Sequence, residues 1–137
     1  MTNINVTAGP FRFLARLEHE LAPQTVAHFI TMLPLRTRII HARWSGEACW
    51  IPMGDTPTHF AIENATSYPA PGQFIFYPGG LSETEILLAY GGVRFASKVG
   101  QLAGNHFLTI VEGEPKLIEL GRLALWHGAQ ELVIDHD

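Results

Sequence analysis

Three side chains with complementary chemistry, His41, Arg43 and Trp50, fall within one short stretch of the chain. An imidazole can transfer protons near neutral pH, a guanidinium can bind a carboxylate through two hydrogen bonds, and an indole can stack on a cation. An aromatic ring beside convergent polar groups is typical of a small-molecule site, so we expect a ligand-binding surface here, with Arg38 as a further cation. The alternative is an exposed face on which Trp50 covers the stem of Arg43.

The element expected to position these groups is a β-hairpin over residues 37–53. Both halves are rich in residues that favour strands, and Ser45 and Gly46 between them can form a two-residue turn. Such a turn directs one set of side chains into the core, namely Ile40, Ala42, Trp44, Glu47, Cys49 and Ile51. The other set would face outward and contains Ile39, His41, Arg43, Ala48, Trp50 and Pro52. A slip by one residue would bury Arg43, so the pattern resists it.

A second group of reactive side chains comprises Tyr77, Glu83, Glu85 and His106. Glu83 and Glu85 share one strand face and could act as acid and base if burial separates their pKa values. They could equally form a solvated edge that discourages pairing between sheets. The ring of Tyr77 could line a cleft or cover the core.

His41 and His106, with Glu83 or Glu85, form the one set that we consider as metal ligands. A single histidine in a strand is more often a hydrogen-bonded structural residue, so we predict no metal and no other cofactor. The sequence contains no HExxH, paired CxxC, phosphate loop or Gly-x-Ser-x-Gly elbow. The candidates for a catalytic role are therefore His41, Arg43, Glu85 and His106.

Composition predicts one globular domain over residues 1–137, with residues 1–9 as a flexible N-terminal tail. Hydrophobic residues make up 47% of the chain and charged residues 16%, which is too apolar for a disordered protein. The net charge of −4 comes without a basic block, which argues against nucleic acid or an anionic membrane as the main partner. No signal peptide or membrane-spanning run is recognisable, so we expect a cytoplasmic protein. The single cysteine, Cys49, excludes an internal disulfide.

The periodicity of apolar residues predicts mostly strands. In addition to the hairpin, strands are expected at 11–17, 73–77, 85–90, 106–111 and 132–134. Helical spacing predicts one helix between Pro23 and Pro34 and a second within 113–128, whereas 54–72 is expected to be irregular with at most a short strand at 60–63. Two helices are too few for alternating βαβ units, so the expected fold is mainly β, a closed antiparallel β-barrel capped by two helices.

Four segments resemble the first helix, the His-Arg strand, the Gly-x-His segment and the closing strand of cyclophilins: APQTVAHFITMLP, IIHAR, AGNHFLTIVEG and QELVID. This resemblance implies a cyclophilin-like barrel over nearly the whole chain. More specifically, RIIHARWSGEACW, YPAPG, YPGG and GQLAGNHF are similar to a bacterial group of small cyclophilin-like proteins of uncharacterised function. The catalytic arginine of the isomerases would correspond to Arg43, or failing that to Arg38. Their Gln-Gly-Gly-Asp segment is absent, and IPMGD keeps only its Met, Gly and Asp.

The predicted function is ligand binding on the outer face of the barrel. The protein could do this as an accessory subunit, since the resemblance extends to barrels in bacterial amide- and lactam-hydrolysing assemblies. A small polar metabolite or peptide segment would be held by Arg38, His41, Arg43, Trp50, Tyr77, Glu83 and Glu85. The alternative is an enzyme that processes a small amide or carboxylate by His/Glu acid–base chemistry, and peptidyl-prolyl isomerisation is the third possibility. The surplus of aromatic residues also suits a homo-oligomer.

Overall fold

The computed structural model describes residues 3–137, which form a closed barrel of eight antiparallel strands with two helices. The strands are β1 (Asn3–Ala8), β2 (Phe11–Leu17), β3 (Leu35–His41), β4 (Gly46–Pro52), β5 (Ala65–Thr66), β6 (Gln73–Tyr77), β7 (Glu85–Val93), β8 (Ala96–Ser97), β9 (Gly100–Gln101), β10 (Gly104–Glu112) and β11 (Gln130–His136). The helices are α1 (Pro23–Ile30) and α2 (Leu117–His127), and short 3₁₀ turns cover Arg43–Ser45 and Glu114–Lys116.

The barrel closes because the two strands at the ends of the sheet, β2 and β10, pair with each other. The order around it is β2, β1, β11, β3, β4, β7, β6 and β10, and β10 also pairs with β2. The short β5 adds to β10, and β8 with β9 forms a separate two-stranded hairpin. The prediction of a mainly β fold, a closed antiparallel barrel with two helices, is confirmed.

Alternating side chains fill the interior of the barrel. In β2, Phe13, Ala15 and Leu17 are buried while their neighbours are not, which is the period-2 pattern of a strand with one face on a core. The same core takes in the apolar faces of both helices, with Val26 and Phe29 from α1 and Leu117, Leu120 and Ala124 from α2. Each large side chain buried in this way contributes about 1.5–3 kcal/mol of transfer free energy.

A second, smaller core lies on the outside of the barrel. Phe95 and Leu102, from the excursion that carries β8 and β9, pack on Ile75, Tyr77 and Leu87 of β6 and β7. Strand β6 is therefore buried on both faces, because Phe74 and Phe76 point into the barrel. The predicted division of these residues, Phe74 and Phe76 on one face and Ile75 and Tyr77 on the other, is confirmed.

The predicted hairpin exists, but its register is shifted by one residue. Ile40 lies opposite Trp50 and His41 lies opposite Cys49, so His41 faces the barrel interior with Cys49. The prediction that His41 faces outward is therefore wrong. Ile40, expected in the core, is 38% exposed.

The cause of this shift is the connection between the two strands. In place of the predicted two-residue turn, Arg43–Ser45 form a 3₁₀ turn, and β4 begins at Gly46 with a φ of 110°. Arg43 lies in this turn and outside the paired strands, so the shifted register does not bury it and it stays exposed. Trp44, expected in the core, is on the same turn and is 54% exposed.

Two further boundaries differ from the prediction. The flexible tail expected at residues 1–9 is wrong for 3–8, which form β1 between β2 and β11, while residues 1–2 lie outside the described part. The helix expected to reach Pro34 ends at Ile30. Residues 60–63 form no strand, as the prediction of at most a short strand there allowed, and β5 lies just after them. Among residues 3–137, no helix is long and apolar enough to cross a membrane.

Candidate functional site

A cleft of about 410 Å³ lies on the outer face of the barrel. We call it the outer cleft, and it is lined by Trp44, Trp50, Ser82, Glu83, Glu85, Ser97 and Lys98. These residues come from β4, from the start of β7, from the connection between β6 and β7, and from the two outer turns. The cleft is within the usual size range of small-molecule sites, about 300–1,000 Å³.

Two strands place the floor of the outer cleft. Trp50 of β4 lies opposite Leu87 of β7, and Glu85, the first residue of β7, lies between Pro52 of β4 and Tyr77 of β6. Because side chains alternate along a strand, Trp50 points away from the barrel interior that Cys49 and Ile51 fill.

Hydrogen bonds hold both rims of the outer cleft in place. The Tyr77 hydroxyl accepts the backbone N–H groups of Leu81 and Ser82, at 3.2 and 3.3 Å, which fixes the wall that carries Ser82 and Glu83. On the other rim, the Ser45 hydroxyl accepts the Ala96 N–H at 3.1 Å and donates to the Ala96 carbonyl at 3.2 Å. The turn that carries Trp44 is thus tied to the hairpin that carries Ser97 and Lys98.

Glu85 is a buried carboxyl group. It is 2% exposed, and its Oε2 atom has no hydrogen-bond partner among the described residues. Burial, together with the negative charge of Glu83, raises the pKa of Glu85 to about 8. Glu83 itself is exposed, so one carboxyl of the pair is in water and the other is in the protein.

The aromatic wall of the outer cleft is a pair of indoles. Trp44 and Trp50 meet edge to face, with ring centroids 5.3 Å apart and ring planes at 87°. The Trp50 Nε1 atom is buried and has no acceptor within residues 3–137. The outer cleft thus contains two buried polar groups without partners, the Trp50 indole N–H and a carboxyl oxygen of Glu85. Each such group costs about 1–3 kcal/mol.

The predicted site residues are distributed over several places. Trp50, Glu83 and Glu85 line the outer cleft, and Tyr77 supports its wall from below at 7% exposure. Among the described residues, the lining includes none of Arg38, His41, Arg43 and His106. The predicted ligand surface around the hairpin is therefore divided, with the indole on one side of β4 and the imidazole on the other.

His41 and Arg43 lie at the α2 side of the barrel. The His41 ring is 8% exposed and its Nε2 atom is 2.7 Å from the Tyr90 hydroxyl. Burial, and then the charge of Arg43, lowers the pKa of His41. We interpret His41 as a structural histidine, as the alternative based on the sequence allowed.

Arg38 and His106 are engaged elsewhere. Arg38 is exposed and pairs with Glu131 at 3.4 Å, beside a groove that it shares with Arg36, Ile40 and Pro52. His106 bonds to the Thr109 hydroxyl at 2.7 Å and lies 4.0 Å from the Glu18 carboxylate. No cluster of three or more His, Cys, Asp or Glu side chains suited to a metal ion occurs in the described range.

Four lining residues were not among the predicted site residues: Trp44, Ser82, Ser97 and Lys98. A sequence signal exists for Ser97 and Lys98, because polar residues in a Gly-flanked turn are commonly exposed near sites. The predicted register places Trp44 in the core. Its position follows from the 3₁₀ turn, for which the segment RWSG contains no specific signal.

The sequence model of one protein family, described as "Protein of unknown function (DUF3830)", matches residues 4–135. This chain belongs to the DUF3830 family. The prediction that it belongs to a family of unknown function is thereby confirmed. No curated protein matches this DUF3830 chain.

Solved structures share the fold of this DUF3830 protein. It is similar to McbB, whose structure was solved in complex with tryptophan, with a TM-score of 0.73 and 19% identity. The similarity covers 96% of this chain and 44% of the McbB chain, so the DUF3830 protein spans less than half of that protein. It is also similar to the hypothetical protein AF2241 from Archaeoglobus fulgidus, with a TM-score of 0.62, 14% identity, and coverage of 99% of this chain and 95% of the other. At these identities the likeness shows the fold alone.

Proposed function

We propose that the DUF3830 protein binds a small polar ligand in the outer cleft. The observation that carries this proposal is the presence, in one cleft, of two buried polar groups without partners in residues 3–137: Glu85 Oε2 and Trp50 Nε1. Folded proteins satisfy most buried polar groups, so a pair of unsatisfied groups at one site calls for an explanation. A ligand that offers a donor to Glu85 and an acceptor to Trp50 provides it.

The surroundings of these two groups support the proposal. The Trp44 and Trp50 rings offer an apolar surface, whereas Ser82, Ser97 and Lys98 offer polar contacts at the rims. Small-molecule sites combine an apolar lining with a few placed polar groups in this way. The hydrogen bonds of Tyr77 and Ser45 hold the walls before any ligand arrives, which lowers the entropic cost of binding.

An enzymatic role is the second candidate, and the raised pKa of Glu85 favours it. At neutral pH Glu85 holds a proton that it could donate, and the nearby exposed Glu83 is suited to accept one. The predicted His/Glu chemistry would need a different partner, since His41 and His106 lie away from the outer cleft. Turnover of a bound amide that stops in Glu85→Gln but persists in His41→Ala would distinguish this role from simple binding.

The remaining parts of the predicted function are proposals as well. We also propose that the ligand can be a peptide segment and that the protein acts as an accessory subunit. We further propose that it self-associates, that it is cytoplasmic, and that its family is bacterial and cyclophilin-like. Self-association is supported by Trp126, which is 76% exposed on α2. Prolyl isomerisation has less support, because Arg43 stands outside the lining of the outer cleft.

The test is a thermal-shift and calorimetric screen of small amides, amines, carboxylates and dipeptides. Free tryptophan belongs in the panel because McbB was solved with it. Compounds that raise the melting temperature are then measured on Trp50→Phe, which lacks the N–H, and on Glu85→Gln. Trp126→Phe is the matched control, since it makes the same change in a groove lined by Phe11, Glu119, Arg122, Leu123 and His127. Binding that is lost in the first two variants and kept in the control supports the proposal, whereas binding unchanged in all three places the site elsewhere.

A further inference from the structure

We propose that the ligand of the outer cleft is an organic ammonium ion, a protonated amine attached to an aromatic or apolar group. This inference rests on the proposed function and names its ligand class. It follows from the charges around the cleft, from the unmet hydrogen-bonding capacity of Glu85 and from the arrangement of the two indoles.

The charges of the outer cleft favour a cation. Two carboxyl groups, Glu83 and Glu85, share the lining with one exposed ammonium group, Lys98, so ionisation of Glu85 leaves the cleft with a net negative charge. The other titratable group beside Glu85 is the phenol of Tyr77 on β6, and β4 contributes the uncharged Trp50 and Pro52. Glu85 therefore has no cation of the described protein within hydrogen-bond distance, although it is nearly fully buried.

A bound ammonium group would supply what Glu85 lacks. Buried charges are tolerated when they are paired and hydrogen-bonded, and charge-assisted hydrogen bonds are the stronger ones. An N–H donor at Glu85 Oε2 satisfies that atom and stabilises the ionised carboxylate. In the free protein burial, and then repulsion from Glu83, raises the pKa of Glu85. The positive charge of the ligand offsets that repulsion.

The indoles complete the recognition. Trp44 stands perpendicular to Trp50, so the ring face of one is turned to the ring edge of the other. Trp44 is 54% exposed and offers its surface to a ligand. A cation within about 6 Å of an indole face is attracted to it, and tryptophan is the best aromatic partner. The aromatic or apolar part of the ligand packs against Trp44, and an oxygen on it can accept the Trp50 N–H.

Binding of an ammonium ion has a proton signature. In the free protein Glu85 carries a proton up to about pH 8, whereas in the complex it is ionised, so binding releases a proton. Affinity should then rise by up to about tenfold per pH unit towards pH 8 and level off above it. An aliphatic amine stays protonated over this range, as lysine does.

The experiment compares three probes with one aromatic ring and different end groups: 2-phenylethylamine, 2-phenylethanol and 3-phenylpropanoate. Titration calorimetry at pH 8 should show the amine binding about tenfold or more tightly than the alcohol and the carboxylate. Repetition at pH 7 in two buffers of different ionisation enthalpy should show release of about 0.9 proton with the amine. Glu85→Gln should lose the preference and the proton release, while Trp126→Phe should keep both.

Failure of this inference can be distinguished from failure of the proposed function. If the alcohol or the carboxylate binds as tightly as the amine, and this binding needs Trp50, the cleft is a ligand site and the ammonium class is wrong. If no probe of this set or of the wider panel binds in a manner that needs Trp50, both fail. The pH dependence of amine affinity in the unaltered protein tests the inference even if Glu85→Gln does not fold, because a flat profile overturns it.

Discussion

The His41 Nε2 atom lies 2.7 Å from the Tyr90 hydroxyl, and the two rings meet edge to face with centroids 5.6 Å apart. Tyr90 in turn packs against Gly121 of α2, where a Cβ atom would overlap the tyrosine ring. The glycine inside α2 therefore allows the helix to approach the barrel at the point where Tyr90 emerges. His41 and Tyr90 thus connect the hairpin to α2.

Replacing Gly121 by alanine should destabilise the protein by about 1–3 kcal/mol, because the added methyl group forces Tyr90 from its position. In a Tyr90→Ala background the same change should be neutral or stabilising by up to about 1 kcal/mol, since alanine has the higher helix propensity. Urea unfolding of the wild type, both single variants and the double variant gives the coupling energy. Equal losses in both backgrounds would show that the tyrosine is not what the methyl group meets.

The hairpin illustrates what the sequence predicts and what it leaves open. Alternation of apolar residues correctly located β2, β6 and the two faces of Phe74 and Ile75, because burial on a sheet has a period of two. Register depends on the connection between strands, and a 3₁₀ turn of three residues replaced the expected two-residue turn. That single difference moved His41 inward and Trp44 outward.

The outer cleft was only partly predictable for a related reason. Trp50 lies more than thirty positions along the chain from Glu83 and Glu85, and it meets them only because β4 pairs with β7. Their residue types mark them as candidates, but no local pattern shows that Glu85 is buried and Glu83 exposed. The distances between strands that are remote in sequence depend on tertiary packing. Here that packing includes the second core around Phe95.

The stability of the protein should depend on pH through Glu85. Its pKa is about 8 in the folded protein and 4.5 for an unperturbed carboxyl, so between these values the folded state holds more protons than the unfolded state. The free energy of unfolding therefore falls as pH rises through this range, by up to about 1.4 kcal/mol per pH unit for this group. Glu85→Gln keeps a neutral group at every pH and should escape this loss.

Urea unfolding from pH 5 to pH 9 measures this effect. The stability of Glu85→Gln relative to the wild type should grow with pH and stop growing above about pH 8. Glu119→Gln, an exposed change on α2, serves as the control and should show no such trend. A difference between wild type and Glu85→Gln that is constant with pH would mean that Glu85 is ionised in the folded state.

Thr109 should stabilise the outer surface between β10 and β2 through its hydroxyl. The hydroxyl donates to Glu18 Oε2 at 2.5 Å and therefore accepts the N–H of His106 Nε2 at 2.7 Å. Burial would raise the pKa of Glu18, but hydrogen bonds from Thr109 and Arg16 lower it below its usual value. Thr109→Val keeps the shape of the side chain and removes both bonds, at a cost of about 1–3 kcal/mol.

Thr109→Ser, which keeps the hydroxyl, should lose much less stability than Thr109→Val. The Glu18 contribution is present above the usual carboxyl pKa and is lost as pH falls through the lowered value. The difference between wild type and Thr109→Val should therefore shrink in acid when both are unfolded with urea. Equal losses for valine and serine at neutral pH would assign the effect to packing of the methyl group.

Asn105 should control the long connection between β4 and β5. Its side chain is fully buried, its Nδ2 donates to Thr25 Oγ1 at 3.0 Å and to the Ala61 carbonyl at 2.9 Å, and its Oδ1 accepts the Glu63 N–H at 3.1 Å. The Glu63 carboxylate in turn accepts the Thr25 N–H at 2.7 Å, near the N-terminus of α1, where a negative charge is favourable. One amide therefore joins the connection to the helix.

Asn105→Asp replaces two donors with an acceptor that faces the Ala61 carbonyl, so we expect a loss of about 1–3 kcal/mol and local opening of residues 54–64. Limited proteolysis followed by mass spectrometry should show faster cleavage in this segment than in the wild type. Asn5→Asp is the matched control, because the Asn5 amide donates a hydrogen bond to Asp137 Oδ1 in an exposed setting, where the cost should stay below about 1 kcal/mol. If both variants are cleaved at the wild-type rate within 54–64, the amide network does not hold this connection, and its order must come from the packing of Phe60 on Phe76 at 4.9 Å.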